Sequence, residues 1–284
     1  MGRRKLTDMS GNQKGLSLQV IVIVLVLLAV FLGWLGYQPG TLLNEYARGL
    51  SLTLFGVALV VWLTDSLGRR REAQLLAYLE EQRKIQEDAQ LARESQLAKT
   101  QLIREVASGD PVLAERAIRE LDGKGWLTDG TLSNTQLMGA NLAGANLGWV
   151  NLSGAFLSNI NLQDADISYG NFSSAGMSDA KMARANLDMA NFTEADLRNA
   201  NLSLCSMNET DMTGAQMEGA VLSGATMVEA NLSKVQGERM ALNGANLDRA
   251  NLVESNLSHA NLERATLTGV NFGWANLSRA NLEK

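Results

Sequence analysis

Side chains able to do chemistry are scarce in this chain. It holds one histidine, His259, and one cysteine, Cys205, among 284 residues. A Cys/His metal cluster needs several such ligands, and a Ser-His-Asp or Cys-His nucleophile needs a base with supporting groups. Neither can be assembled, so the sequence reads as non-enzymatic, with no catalytic residue, cofactor or metal expected. A lone cysteine excludes an intrachain disulfide and suits a reducing compartment. Aromatics make up only 5% of the chain. No basic face carries interleaved aromatics, which argues against a nucleic-acid partner. There are two prolines, Pro39 and Pro111. Nothing between them breaks a helix over Ser66–Ala107, where charges of both signs alternate as they do on a solvated helix.

Two long uncharged runs stand near the N-terminus. Residues 18–37 carry no charge and are long enough to cross a bilayer as a helix. Gly49–Thr64 is also uncharged but shorter, so it must draw on flanking residues or thin the bilayer. Trp34, Tyr37, Tyr46 and Trp62 lie near the run ends, where interfacial aromatics gather. Gln38-Pro39-Gly40 is a turn signal. The expectation is a two-helix transmembrane hairpin over 18–65 in contact with membrane lipid. Arg3, Arg4, Lys5 and Lys14 precede the first run and Arg69, Arg70 and Arg71 follow the second, while the loop holds only Arg48. By the positive-inside rule both termini lie in the cytoplasm, at an inner membrane. A cleaved signal peptide is the competing reading of the first run, but the stretch is long and no small-x-small site follows it. The second run could instead be a buried hairpin helix.

The expected organisation is a basic N-terminus (1–17), the hairpin (18–65), a connector helix (66–107), a capping helix with lead-in (108–130), and a repeat domain (131–284). Leu91, Ser95, Ala98, Leu102 and Val106 make an a/d-like stripe on the connector. It reads either as a seam for coiled-coil dimerisation or as part of a spacer packed on nothing. Leu113, Ala117 and Leu121 fall four apart on a short helix after Pro111, and with Trp126 they are assigned as the N-terminal cap of the repeat domain.

From Thr131 onward the chain repeats every five residues. Leu132, Leu137, Leu142 and every fifth residue to Leu282 make 31 positions, of which 30 hold Leu, Ile, Met or Phe. Gly237 is the exception, with Met240 replacing the usual small residue after it, and a bulge or cavity is expected there. The residue two before each wedge is usually Ala, and the one between is usually Asn or Asp, as in Ala140-Asn141-Leu142 and Ala250-Asn251-Leu252. A period of five fits neither helix nor simple strand. It suits a solenoid that bends once per repeat, with one large and one small residue inward. Cys205 takes a small inward slot and reads as core. The glycines fall mostly in outward slots and make no phosphate-cradling loop.

This segment resembles the pentapeptide-repeat family, and the likeness covers residues 131–284. The resemblance implies a right-handed quadrilateral β-helix, with four repeats to a square coil. The lead-in through Gly125-Trp126-Leu127 is similar to that of membrane-attached bacterial members. Several members dimerise end to end through their C-terminal coils, which implies a homodimer through Trp274, Leu277 and Leu282, the connector helix being the other route to a homo-oligomer. Some members protect DNA gyrase by imitating the negative surface of duplex DNA. Here residues 131–230 carry 10 acidic and 3 basic groups, and residues 231–284 carry 5 and 6. The acidity therefore stops halfway, which weakens that alternative.

With 20 residues to a coil, positions 20 apart stack in columns. One column begins Trp149, Tyr169, Met189 and reads as an exposed ridge that docks a protein partner or the connector, against the plainer reading of large side chains tiling a corner. Another holds Arg239, His259 and Arg279, which reads as an anion-binding edge or as a solvated basic one. The function expected is a non-catalytic membrane-anchored scaffold presenting the rod to an unidentified protein. The alternatives are a topoisomerase-directed DNA mimic and a membrane organiser acting through its hairpin.

Overall fold

A computed structural model describes residues 8–37 and 44–283. Arg3, Arg4, Lys5, the Lys14 side chain and the Gln38-Pro39-Gly40 turn lie outside the described residues. The chain divides into two compact units, Met1–Leu91 and Ala92–Lys284.

The first unit contains α1 (Asp8–Leu35) and most of α2 (Asn44–Val106). No break separates the second apolar run from the charged connector, so 65/66 is not an element boundary. Gly68 is the only glycine beyond the apolar run in α2, and a lone glycine costs a helix only about 1 kcal/mol. α1 meets the start of α2 along a seam of small residues. Ala29, Ala47 and Ala58 are buried there. A methyl group placed on Gly33 would stand 3.2 Å from Ser51 Oγ, so the backbones approach where side chains are smallest. Ser51 Oγ donates to the Ala29 carbonyl at 2.8 Å, and Arg48 Nε donates to that of Gly36 at 3.1 Å.

The second unit begins with the end of α2. Ser108–Asp110 turns the chain into α3 (Pro111–Gly123), where Asp110 caps the N-terminus by accepting from the N–H groups of Val112 and Leu113. Pro111 fits the first turn, whose N–H would have no partner. α3 ends in a Schellman turn. Gly125 has φ +70° and donates to the Asp122 carbonyl at 2.8 Å, and Trp126 N–H reaches the Leu121 carbonyl at 2.8 Å.

The repeats then wind into a solenoid. Parallel bridges join residues 20 apart, as in Asn141↔Asn161↔Lys181, so four repeats make one coil. Among the described residues each contact is a single bridge and not a longer strand. A five-residue repeat spends its remaining residues on a turn. That turn closes through the small residue, as when Ala140 N–H donates to the Leu137 carbonyl at 3.1 Å. Its corner residue has positive φ in every repeat, whether it is Gly144, Trp149 or Arg184. Between coils the ladder alternates direction: Leu137 N–H donates to Phe156 O, and Phe156 N–H to Thr135 O, both at 2.9 Å.

The outward Asn or Asp has two tasks. Asn161 Oδ1 accepts from Gln163 N–H at 3.2 Å, and Asn161 Nδ2 donates to Asn141 Oδ1 of the coil before at 3.0 Å. One amide thus fixes a turn and staples neighbouring coils. Inside, wedges such as Leu152, Phe172 and Leu187 are fully buried. Each contributes about 1.5–3 kcal/mol before chain entropy. Phe172 stacks on Phe192 with centroids 4.9 Å apart.

Gly237 makes neither bulge nor cavity. Its N–H donates to the Asn256 carbonyl at 2.8 Å in normal register. The Met240 sulfur lies where a side chain on residue 237 would be, and Met240 is fully buried. An unbranched side chain rooted in the small slot fills the missing wedge. The solenoid core also starts one repeat before Leu132. Leu127 is buried with the wedges, and its carbonyl accepts from Asn151 N–H at 2.9 Å.

Candidate functional site

Every corner of the solenoid projects its positive-φ side chain outward, so a column of corners is a ready-made ridge. Trp149 and Tyr169 stack with centroids 4.3 Å apart and planes 3° from parallel, and Met189 comes next, on the adjoining coil. Trp149 is 63% exposed, and all three are large apolar groups facing out. They hold φ of 64°, 58° and 59°. A left-handed backbone costs a side chain of this size about 1–2 kcal/mol. Further along, the same column turns polar, with Arg249 paired to Glu229 at 2.7 Å.

The basic column is less bare than its sequence suggests. Arg279 Nη1 lies 3.4 Å from His259 Nε2. Glu238 intrudes, its Oε1 3.3 Å from Arg239 Nη2 and 4.0 Å from His259 Nδ1. The carboxylate comes from the first residue of the same two-residue turn, one place before the positive-φ residue, so a reading of the positive-φ column alone does not register it. The edge that results is mixed in charge.

At the N-terminal end the cap residues need one change. Ala114, Ala117, Ile118 and Leu121 are buried, while Leu113 is 37% exposed. Spacings of three and four keep to one stripe of a helix, whereas a constant spacing of four drifts off it. Trp126 is half-buried and has two ammonium groups over its ring, Lys99 Nζ at 4.9 Å and Lys124 Nζ at 5.0 Å from the centroid. Lys99 also pairs with Asp129 Oδ2 at 2.9 Å. Leu102 and Val106 are buried in the same cluster as the cap and the first wedges. The last two members of the connector stripe are therefore spent inside this unit. That shortens the dimer seam, and the helix end is not a spacer packed on nothing.

At the other end, the wedges of the last described coil are only partly covered. Leu267, Phe272 and Leu277 pack against the core without being buried. Trp274 is 87% exposed, and Leu282 is exposed as well.

The one cysteine of the chain lies inside the solenoid. Cys205 is buried, and its thiol donates to the Met182 carbonyl at 2.8 Å. Burial pushes that thiol up to about 12, so it stays protonated. No grouping of three or more His, Cys, Asp or Glu suited to a metal occurs among the described residues. Sequence reasoning passed over several exposed apolar groups, including Met138, Phe156 and Leu204. It also passed over a cleft between α1 and α2 lined by Gln19, Trp62, Asp65 and Arg69. Their only sequence signal is a large side chain in an outward slot, or a charge next to an apolar run.

Pentapeptide repeats match the chain over 127–159, 140–182, 160–199, 175–214, 200–236 and 245–283. The gap between the last two stretches contains Gly237 and Met240. No curated protein is significantly similar in sequence. Among solved structures, the pentapeptide repeat protein HetL from the cyanobacterium Nostoc, involved in heterocyst differentiation regulation, is 27% identical. That match covers 54% of this chain and 82% of HetL, with a TM-score of 0.39. QnrB1, a plasmid-mediated fluoroquinolone resistance protein, is 20% identical over 49% of this chain and 80% of its own, with a TM-score of 0.38. Rfr23, a pentapeptide repeat protein from the cyanobacterium Cyanothece, is 35% identical over 36% of this chain and 58% of its own, with a TM-score of 0.15. The repeat matches span more than half of the chain, and their register is that of the bridges, so the chain belongs to the pentapeptide-repeat family.

Proposed function

We propose that this protein is a non-catalytic, membrane-anchored platform whose pentapeptide-repeat rod binds a protein partner in the cytoplasm. The observation that carries the anchor is the exposure of large apolar side chains all around α1 and the start of α2. Val20, Leu27, Phe31, Leu52, Phe55 and Val60 all face outward. Leu18–Leu35 has a mean hydropathy of 2.9 with 6% of the stretch buried. The core helix of a soluble domain buries such a stretch; a helix apolar all round calls for lipid. The basic groups flanking the two runs support cytoplasmic termini.

The rod supplies the binding role. Its interior is filled by wedges, so any function resides on faces, corners or ends. The Trp149–Tyr169–Met189 ridge is the docking element we favour, since aromatic anchors dominate interface energetics. The last described coil, where Trp274 and Leu282 are exposed and Leu277 is only partly covered, is the surface we assign to a second copy. Imitation of DNA is not favoured: Asp164, Asp196 and Glu229 are each paired to an arginine, which breaks up an acidic face.

Proximity labelling from the C-terminal coil in the native host tests this reading. It should yield neighbours that disappear when Trp149 and Tyr169 are both replaced by Ser, and that persist when the hairpin is exchanged for an unrelated anchor. Neighbours indifferent to the ridge would remove the docking role. Neighbours lost with the hairpin exchange would favour a membrane organiser instead.

A further inference from the structure

One cleft in the first unit has the chemistry of a ligand site. About 370 Å³ in volume, it lies between the start of the α1 apolar run and the end of the α2 run, lined by Gln19, Val22, Ile23, Trp62, Asp65 and Arg69. Asp65 and Arg69 form an ion pair one helical turn apart, with side chains 20% and 45% exposed. They are the first charges after the uncharged stretch Gly49–Thr64. Gln19 stands opposite, in the first turn of the run on α1. Val22 and Ile23 lie one turn deeper on α1, and Trp62 one turn deeper on α2. The cleft therefore grades from a charged rim to an apolar floor.

We infer that the cleft binds a zwitterionic phospholipid whose headgroup carries a primary ammonium, of the phosphoethanolamine type. This rests on the membrane reading above, which sets the rim at headgroup depth. The argument is charge complementarity. An Asp–Arg pair has no net charge but carries a strong local dipole, so it repels a purely anionic headgroup at one end as much as it attracts it at the other. A zwitterion satisfies both ends. The lipid ammonium donates to the Asp65 carboxylate and lies within reach of the Trp62 ring face, a favourable place for a cation. The phosphodiester accepts from the Arg69 guanidinium in charge-assisted hydrogen bonds. The Gln19 amide can donate to an ester oxygen, and Val22, Ile23 and Trp62 border the first acyl methylenes. A quaternary ammonium has no N–H to give Asp65, and a glycerol headgroup has no cation at all. An ion pair one turn apart on a helix, with its guanidinium half-exposed, is weakly held on its own, so its partners can be re-shared with a ligand at little cost.

The full-length chain, purified in detergent, is exposed to an equimolar mixture of phosphatidylethanolamine, phosphatidylcholine and phosphatidylglycerol, and retained lipid is weighed by native mass spectrometry. Phosphatidylethanolamine should be retained roughly tenfold over either competitor, the scale of one hydrogen bond to a charged group. Asp65→Asn and Arg69→Gln should each abolish that preference, Arg69→Lys should keep part of it, and Arg71→Gln should leave it intact. Preference for phosphatidylglycerol, no preference, or a preference unchanged by Asp65→Asn and Arg69→Gln would each overturn the site. Alkaline extraction of native membranes separates the two levels of failure. A chain that washes off sinks the membrane reading and the site with it, while a chain that stays but shows no preference sinks the site alone.

Discussion

Gly237 and Met240 show how much a single pair of residues can exchange within a strict repeat. The wedge slot is empty, the small slot holds a long side chain, and the Met240 sulfur fills the wedge volume. The two departures from the pattern compensate each other. Met240→Ala should then leave a hole and cost about 2–5 kcal/mol, as large-to-small core changes do. Gly237→Leu should overpack against Met240 and Leu257 and cost about 1–3 kcal/mol. The double change Gly237→Leu with Met240→Ala rebuilds the consensus and should recover most of both losses. Chemical denaturation of the four proteins checks this, and losses that simply add would mean the two sites are independent. The sequence marks both residues as irregular, but it cannot tell a cavity from a filled one, because that depends on where a three-bond side chain swings. The wedge and small-residue positions could be read in advance, since a fixed period leaves them no other place. The corner geometry was hidden, because Trp149, Arg184 and Glu209 share one backbone conformation and no side-chain property.

At the scale of elements, the lead-in decides how the first coils are covered. α2, α3 and the turn carrying Trp126 meet the solenoid through Leu102, Val106, Ala114, Ala117, Ile118 and Leu121, all buried. Two ion pairs brace this junction: Arg116 with Glu105 at 2.5 Å, and Lys99 with Asp129 at 2.9 Å. A length of helix with alternating charges gives no hint of where it docks, which is why the connector stripe reads equally well as a dimer seam. Both carboxylates of the brace, Glu105 beside Arg116 and Asp129, are held below their usual range, and Asp129 is the more displaced. It faces the Thr131 hydroxyl, which closes no aligned hydrogen bond of its own, and it accepts from Lys99 and from the Thr131 N–H at 2.8 Å. With the Thr131 side chain as the largest influence and Lys99 behind it, these groups hold the carboxyl near 2. An unfolded aspartate titrates at about 3.9, so the folded value is depressed. The stabilisation is fully present above the unfolded value and is lost as pH falls through the folded one. Wild type should therefore exceed Asp129→Asn in urea midpoint by a constant margin at neutral pH. That margin should shrink between about pH 4 and pH 2. A margin that widens on acidification would show that Asp129 does not act as a charged partner.

For the whole molecule, the two ends of the solenoid differ in a way that physics must resolve. The first coil is covered by α3 and Trp126, whereas the last described coil offers Leu267, Phe272 and Leu277 as partly covered wedges. Among the described residues, the N–H groups of those three have no backbone acceptor, while each preceding coil finds one in the next. An open parallel edge over an apolar floor is a template for another chain. The same coil from a second copy matches it in cross-section and can bury the floor. We therefore expect the full-length protein in mild detergent to be dimeric at tens of micromolar, with Trp274→Cys giving a disulfide-linked pair on oxidation. Leu277→Lys with Leu282→Lys, which places charge on the floor and leaves every fully buried wedge unchanged, should convert it to monomer. Analytical ultracentrifugation of both forms decides the matter. A wild-type monomer, or a dimer that survives the two lysines, would remove the C-terminal coil from the contact and return the question to the connector helix, where Leu91 is still exposed.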